Sequence, residues 1–327
     1  MPRPKTFKDY TGNESAKKIL QEAITACRIQ KTILPHILLY GSPGTGKTTL
    51  AQVIAAEAGY SIITTIGSVI KTQTDLLKLN KQLWNITYGN ASPALFIDEI
   101  HNIDNPTLRE TTWYPILEDF TGYSNLKGKI IEVDNTKYKL ASNTYGWPVF
   151  CCIGATTDPG MLTAALRRRF KIQIYIDDYS IKDIEEILKH IACKSGYTFT
   201  SSASRFLAER SRDNPATAIS CLETAIRKSI VQMNSSTKLD IPLIKQTMQD
   251  LGIKDSGLKV EDIKVLKILS KTPKGMGKNN IAQACGLSST HYTEMIEPFL
   301  KRRGWIVTSY KTFITPDGLE LLKEIKL

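Results

Sequence analysis

The sequence predicts an α/β protein: a parallel sheet covered on both faces, then an all-helical segment, then a small winged helix. Three observations carry that prediction. Short apolar or β-branched runs alternate with helical periodicity between Ala16 and Ile176. One of them, His36-Ile37-Leu38-Leu39-Tyr40, runs directly into Gly41-Ser42-Pro43-Gly44-Thr45-Gly46-Lys47-Thr48, and a helical pattern follows. Residues 255–327 read as three short helices and two strand-like pieces, the order of a helix-turn-helix with a β-hairpin wing.

Taken in order, Ala16, Ile19, Leu20, Ala23, Ile24 and Cys27 recur at helical spacing and predict a first helix. The run 36–40 is the first strand, and a helix through Leu50–Ala58 follows the glycine stretch. Ser61–Ile66 is β-branched and predicts a second strand. Ala94-Leu95-Phe96-Ile97 is a third, ending in Asp98-Glu99. Val149–Ile153 is a fourth, ending in Gly154-Ala155-Thr156-Thr157, and Ile172–Ile176 is a fifth. From about Tyr179 the pattern turns all-helical, with Ile184, Ile187, Leu188 and Ile191 on one stripe. Further helices are expected through Phe206 and Ile219–Val231, and one more after the polar break Met233-Asn234-Ser235-Ser236-Thr237. Leu251–Gly257 reads as a linker. Trp305–Tyr310 and Thr312–Thr315 are the strands of the wing. The expected domains are therefore 1–178, 179–254 and 255–327.

The net charge of +11 favours a polyanionic partner such as nucleic acid, and part of the surplus lies in residues 255–327. No apolar run approaches the roughly 20 residues that span a bilayer, so no membrane association is expected. Met1-Pro2-Arg3-Pro4-Lys5 has no apolar segment behind it, which argues against a secretory signal and predicts a cytoplasmic protein. Cys27, Cys151, Cys152, Cys193, Cys221 and Cys285 form no CxxC pair and no zinc spacing. They read as reduced structural residues.

A strand, a glycine loop and a helix make a P-loop. Its glycines, Gly44 and Gly46 among them, let backbone N–H groups face phosphate oxygens, and the helix adds the positive end of its dipole. Lys47 reaches the β- and γ-phosphates, and the Thr48 hydroxyl ligates Mg²⁺. The chain is therefore expected to bind a nucleoside triphosphate. Asp98, at the tip of an apolar strand, is expected to hold Mg²⁺ alongside Thr48. Glu99 is placed to act as general base on the attacking water. Thr156 and Thr157 end a neighbouring strand, where a polar side chain contacts the γ-phosphate or that water. Leu166-Arg167-Arg168-Arg169-Phe170 offers planar, permanently charged donors suited to a phosphoryl transition state.

Further blocks recur in one order: Arg3-Pro4-Lys5 with Asp9-Tyr10-Thr11-Gly12, Lys47-Thr48-Thr49, Asp98-Glu99-Ile100-His101, Tyr114-Pro115-Ile116-Leu117-Glu118-Asp119-Phe120, Gly154-Ala155-Thr156-Thr157, and Glu297-Pro298-Phe299-Leu300 with Gly304. Across nearly its whole length the chain resembles the RuvB branch-migration ATPases, AAA+ motors of Holliday junctions. The resemblance implies a P-loop AAA+ core with a parallel sheet, a helical lid and a C-terminal winged helix, with ATP and Mg²⁺ as cofactors. It implies a hexameric ring around duplex DNA at four-way junctions, working with a RuvA-type adaptor. By the same likeness Arg3, Thr49, Tyr179 and part of Glu118-Asp119-Phe120 lie near the nucleotide. Arg169 is the first choice for a finger acting on a neighbouring subunit, with Arg167 second. Thr157 is the first choice of sensor, with Thr156 second. His101 is expected to be a helix-start histidine with no catalytic role.

Three departures stand out. The family's arginine after the lid proline is Ala216 here, within Asn214-Pro215-Ala216-Thr217. The family's wing arginines correspond to Thr308 and Phe313, with Lys311 kept between them. Lys301, Arg302, Arg303 and Lys311 are therefore the expected DNA contacts, made to phosphates rather than bases. The segment between Phe120 and Val149 is longer than the family's, with Lys129–Val133 and Tyr138–Leu140 as hairpin strands around Asp134-Asn135. Ala216 keeps a second reading open: an ATP-dependent switch or loader that binds DNA and recruits another factor without processive movement.

Overall fold

The computed structural model describes residues 3–103, 106–123, 130–133, 136–139, 144–232, 237–254 and 256–325. The chain forms two compact units, Arg3–Asp177 and the part from Asp178 onward.

The first unit is built on strands β1 (Ile37–Tyr40), β2 (Tyr60–Ile66), β3 (Ser92–Asp98), β8 (Cys151–Thr156) and β9 (Ile172–Tyr175). They pair in the order β2-β3-β8-β1-β9, all parallel. The predicted strands are all present. The fourth starts at Cys151 rather than Val149, which is exposed. Helices α1 (Glu14–Gln30), α2 (Lys47–Ala58) and α3 (Gln73–Tyr88) belong to the same unit. Successive strand side chains point to opposite faces. Leu38, Leu95, Ile97 and Cys152 thus enter one core with Leu76, Leu83 and Trp113. Ile37, Leu39, Phe96, Cys151 and Ile153 enter the other with Leu20, Ile24, Leu50 and Ile54. A sheet buried on both faces explains why these strands read as continuous apolar runs rather than alternating ones.

His36 ties the amino ends of the strands together. Its Nδ1 accepts from the Cys152 N–H at 3.0 Å, which leaves Nε2–H to donate to the Leu117 carbonyl at 3.0 Å. Burial pushes its imidazole down to about 4, a shift only partly opposed by the Leu117 bond. The six cysteines are free, and burial raises the thiols of Cys151 and Cys152.

Between Phe120 and β8 lie two antiparallel pairs. The outer strands, β4 (Thr121–Tyr123) and β7 (Thr144–Gly146), pair with each other. The inner strands, β5 (Ile130–Val133) and β6 (Thr136–Lys139), form the expected hairpin with Val133 opposite Thr136, the second strand starting at Thr136 rather than at Tyr138. Lys129, Asp134, Asn135 and Leu140 lie outside the described residues.

The second unit is mainly helical: Ile181–Lys194, Ser201–Arg210, Pro215–Gln232 and Ile241–Asp250. Ser180 and Asp183 form a capping box that starts the first of these. A short parallel pair, β10 (Thr198–Phe199) and β11 (Lys238–Leu239), closes this bundle and had no sequence signal, being two residues long on each side. Met233–Ser236 of the polar break lie outside the described residues. A separate core follows, with Leu258, Leu266, Ile281, Tyr292, Phe299, Leu300 and Ile306. Its helices are Val260–Ser270, Lys278–Cys285 and the stretch ending in Glu297–Arg302. Strands β12 (Ile306–Thr308) and β13 (Thr312–Ile314) form the antiparallel wing, and a further helix, Pro316–Ile325, follows it. No helix among the described residues is long and apolar enough to cross a membrane.

Candidate active site at the carboxyl ends of the sheet

The P-loop leaves the carboxyl end of β1 and enters α2. Gly44 and Gly46 take φ values of 78° and 90°, a region that a side chain strains and glycine does not. Gly46 is itself the residue before the first turn of α2, so the loop delivers Lys47 and Thr48 at a helix amino terminus. Lys47 is buried, and its Nζ donates to the carbonyls of Gly41 and Ser42 at 2.8 and 2.9 Å. Burial lowers its affinity for a proton, while Glu99 and Asp98 act in the opposite sense.

Ligands of such a sheet bind beyond the carboxyl ends of its strands. The register gathers the acidic and hydroxyl side chains there. Ile97 stands opposite Gly154, so Asp98-Glu99 and Thr156-Thr157 emerge side by side. Asp98 Oδ2 accepts from Thr48 Oγ1 at 3.1 Å, joining β3 to the first turn of α2. Two oxygens from two elements in contact form a donor set suited to a hard cation such as Mg²⁺. The residues present therefore fit the expected ion and the expected triphosphate.

Glu99 sits in a left-handed conformation, φ 45° and ψ 53°. Its Oε2 accepts from both the N–H and the hydroxyl of Thr157, each at 3.1 Å. The position is also pressed from behind. A Cβ on Gly67 would fall 2.3 Å from the Glu99 carbonyl oxygen, so no other residue fits there without moving Glu99. Gly67 follows β2, whose Ile66 stands opposite Asp98. Neither Gly67 nor His101 was singled out as functional by the sequence, yet both touch this site. His101 Nδ1 lies 2.7 Å from Thr156 Oγ1 and 3.3 Å from Glu99 Oε2. Its expected place at a helix start is met by the short 3₁₀ turn Ile100–Asn102.

The other expected site residues divide. Arg3 reaches α2, with its guanidinium 3.4 Å from Gln52 Oε1. Thr49 is half-buried on the first turn of α2. Arg169 is not among the groups around Lys47, Asp98 and Glu99. Its guanidinium donates to Glu118 Oε2 at 2.7 Å, to the Ala165 carbonyl at 2.7 Å and to the Tyr114 carbonyl at 3.2 Å, and it lies over the Tyr114 ring. Arg167 is exposed. Phe120 packs its ring against His36 and Phe150, at the amino end of β1 and away from its P-loop end. Asp119 is exposed beside it. The structure thus groups Glu118 with Arg169 and does not bring Phe120 to the P-loop of the same chain. Tyr179 belongs to the second unit, where it is buried in the helical core with Ile184 and Leu188.

The expected DNA contacts divide as well. Lys301 is exposed and Lys311 is half-exposed. Arg302 instead faces Asp178 at 3.1 Å and Asp213 at 3.6 Å. Arg303 faces Asp213 at 3.1 Å and donates to the Glu209 carbonyl at 3.0 Å. Both arginines are engaged by acids remote in sequence, which their own neighbourhood gave no way to see. Ala216 is exposed at the start of Pro215–Gln232, where a methyl group supplies no charge.

Residues 2–176 match the family described as Holliday junction DNA helicase RuvB P-loop domain. The chain is 31% identical over 324 residues to the Holliday junction branch migration complex subunit RuvB of Thermotoga maritima, covering 98% of this chain and 92% of that one. It is 33% identical over 305 residues to the same subunit of Thermosipho melanesiensis, with 93% and 92% covered. Among solved structures, the Thermotoga maritima RuvB Holliday junction branch migration motor matches with a TM-score of 0.80 at 31% identity, over 98% of both chains.

Proposed function

The chain belongs to the RuvB family, and on that premise we propose that it is an ATP-driven motor that moves duplex DNA at four-way junctions in recombination and repair. The observation that carries this reading is the convergence of Lys47, Thr48, Asp98, Glu99 and Thr157 at the carboxyl ends of β1, β3 and β8. Lys47 offers a fixed charge to the β- and γ-phosphates. Thr48 and Asp98 hold Mg²⁺, which when bound neutralises charge on the phosphates. Glu99 takes a proton from the attacking water, with Thr157 fixing its carboxylate. Gly44, Gly46 and Thr49 shape the phosphate cradle, and Arg3 lies over its helix.

Arg169 supplies the finger to a neighbour in a hexameric ring, a contribution worth roughly 10³–10⁵ in rate. Its partner Glu118, with Asp119 and Phe120, then faces the neighbour's nucleotide rather than its own. Residues 1–178 form the AAA+ core, 179–254 the lid and 255–327 the winged helix. Lys301 and Lys311 make phosphate contacts with duplex DNA. Arg302 and Arg303 add to that surface only after leaving their acids. The β5–β6 hairpin is the docking element for a RuvA-type adaptor, and the protein works in the cytoplasm.

The test uses a synthetic four-way junction with ATP and Mg²⁺, with and without a RuvA-type partner. The expected outcome is separation into two duplexes, abolished in Lys47→Ala and Glu99→Gln. ATP-dependent DNA binding without strand movement under any condition would favour the switch reading instead.

A further inference from the structure

We propose that His101 is a positioning residue for hydrolysis: through Nδ1 it bridges the tip of β8 to Glu99 and fixes which carboxylate oxygen meets water. The proposal rests on Glu99 as the base of the reading above. His101 is nearly buried, with a side chain 10% exposed, so its contacts are made inside the site and not in bulk water.

The hydrogen-bond pattern assigns the tautomer. Nδ1 lies 2.7 Å from Thr156 Oγ1 and 3.3 Å from Glu99 Oε2. If Nδ1 carried only a lone pair, that lone pair would face a carboxylate oxygen and be repelled. With its proton on Nδ1, the ring donates toward both oxygens. Thr156 Oγ1 also accepts from the Asp158 N–H at 3.1 Å, which fixes the threonine hydroxyl at the end of β8. Among the described residues, the hydrogen bonds and the imidazole contact of the Glu99 carboxylate fall on one oxygen. Oε2 faces Thr157 N–H, Thr157 Oγ1 and His101 Nδ1. An oxygen so engaged is the weaker base, and Oε1 is left as the one offered to water. The imidazole therefore couples Thr156, Thr157 and Glu99 into one unit. A shift at the end of β8 is carried to the base through that unit.

The chemistry of the side chain makes the idea testable without DNA. Asparagine keeps a donor near the position of Nδ1, whereas glutamine reaches past it and leucine has none. Steady-state ATP hydrolysis by the full chain is compared for wild type, His101→Asn, His101→Gln, His101→Leu and Glu99→Gln, each first checked for folding by thermal melting and for binding of a fluorescent ATP analogue. The expected result is a kcat lowered at least about tenfold in His101→Gln and His101→Leu with KM little changed, and kcat largely restored in His101→Asn. His101→Leu combined with Thr157→Val should cost less than the two single losses multiplied together, because both act on one oxygen. A kcat equal to that of wild type in all three His101 variants, with Glu99→Gln inactive, would overturn the proposal and leave Glu99 as base. Equal losses in all three, asparagine included, would reduce His101 to a packing residue and also overturn it. If His101→Leu fails to fold, His101→Gln carries the comparison. Glu99→Gln with normal hydrolysis would instead remove the base assignment itself.

Discussion

His36 carries the clearest pH signature among individual residues of the first unit. Its imidazole is held neutral by burial, down to about 4 against an ordinary value near 6.5. Below pH 6.5 the unfolded chain takes a proton that the folded chain refuses until about 4. Stability from this group is therefore complete above 6.5 and falls as pH drops through that window. At pH 5 the loss is on the order of 2 kcal/mol. Denaturant midpoints at pH 7 and pH 5 should differ more for wild type than for His36→Gln, and an identical pH slope in the two would refute the role. At the same scale, Lys47, Thr48, Asp98 and Glu99 were legible in the sequence because a P-loop and an acidic strand tip are contiguous strings. His101 and Gly67 were not. Their roles arise from the register of β2, β3 and β8, which sets residues far apart in sequence against Glu99. The arginines 302 and 303 read as a DNA patch only while Asp178 and Asp213 are out of view.

Among elements, the joint between Ser201–Arg210 and Pro215–Gln232 concentrates the most unusual backbone. Arg212 and Asp213 both take positive φ, 64° and 56°, where side chains are strained by about 1 kcal/mol or more each. The geometry persists because the side chains are held. Arg212 is buried, paired with the fully buried Asp262, stacked over Phe299 at 4.0 Å, and donates to the Met295 carbonyl at 2.7 Å. Asp213 meanwhile receives Arg302 and Arg303. The joint thus binds the start of Pro215–Gln232 to the winged helix. Arg212→Ala leaves Asp262 without its cation and should cost about 3–5 kcal/mol, read as a lowered melting temperature. A change within about 0.5 kcal/mol would show that the pair has no structural weight. The sequence foresaw the helices on either side, since each has an apolar stripe. It did not foresee β10 with β11, too short for a pattern, or the helix after the wing, although that helix carries Leu319, Leu321, Leu322 and Ile325.

For the whole molecule, the proposed ring would join the site of one subunit to an arginine of the next. Arg169 makes its contacts with Glu118, Ala165 and Tyr114 rather than with the groups around Lys47, which suits a finger for another subunit. Ala216 removes the charge that the resemblance places on the lid, so Arg169 is left as the main arginine expected at the γ-phosphate. The overall plan was legible because the P-loop, the two strand tips and the wing all lie in contiguous blocks, while the proposal of a site shared between subunits leans on the resemblance. Strand separation of a four-way junction by wild-type protein mixed with increasing fractions of Arg169→Ala tests this directly. If hydrolysis is completed by the neighbour and drives movement, the rate falls more steeply than the fraction of wild type. A rate that simply follows the fraction of wild type would contradict a shared site.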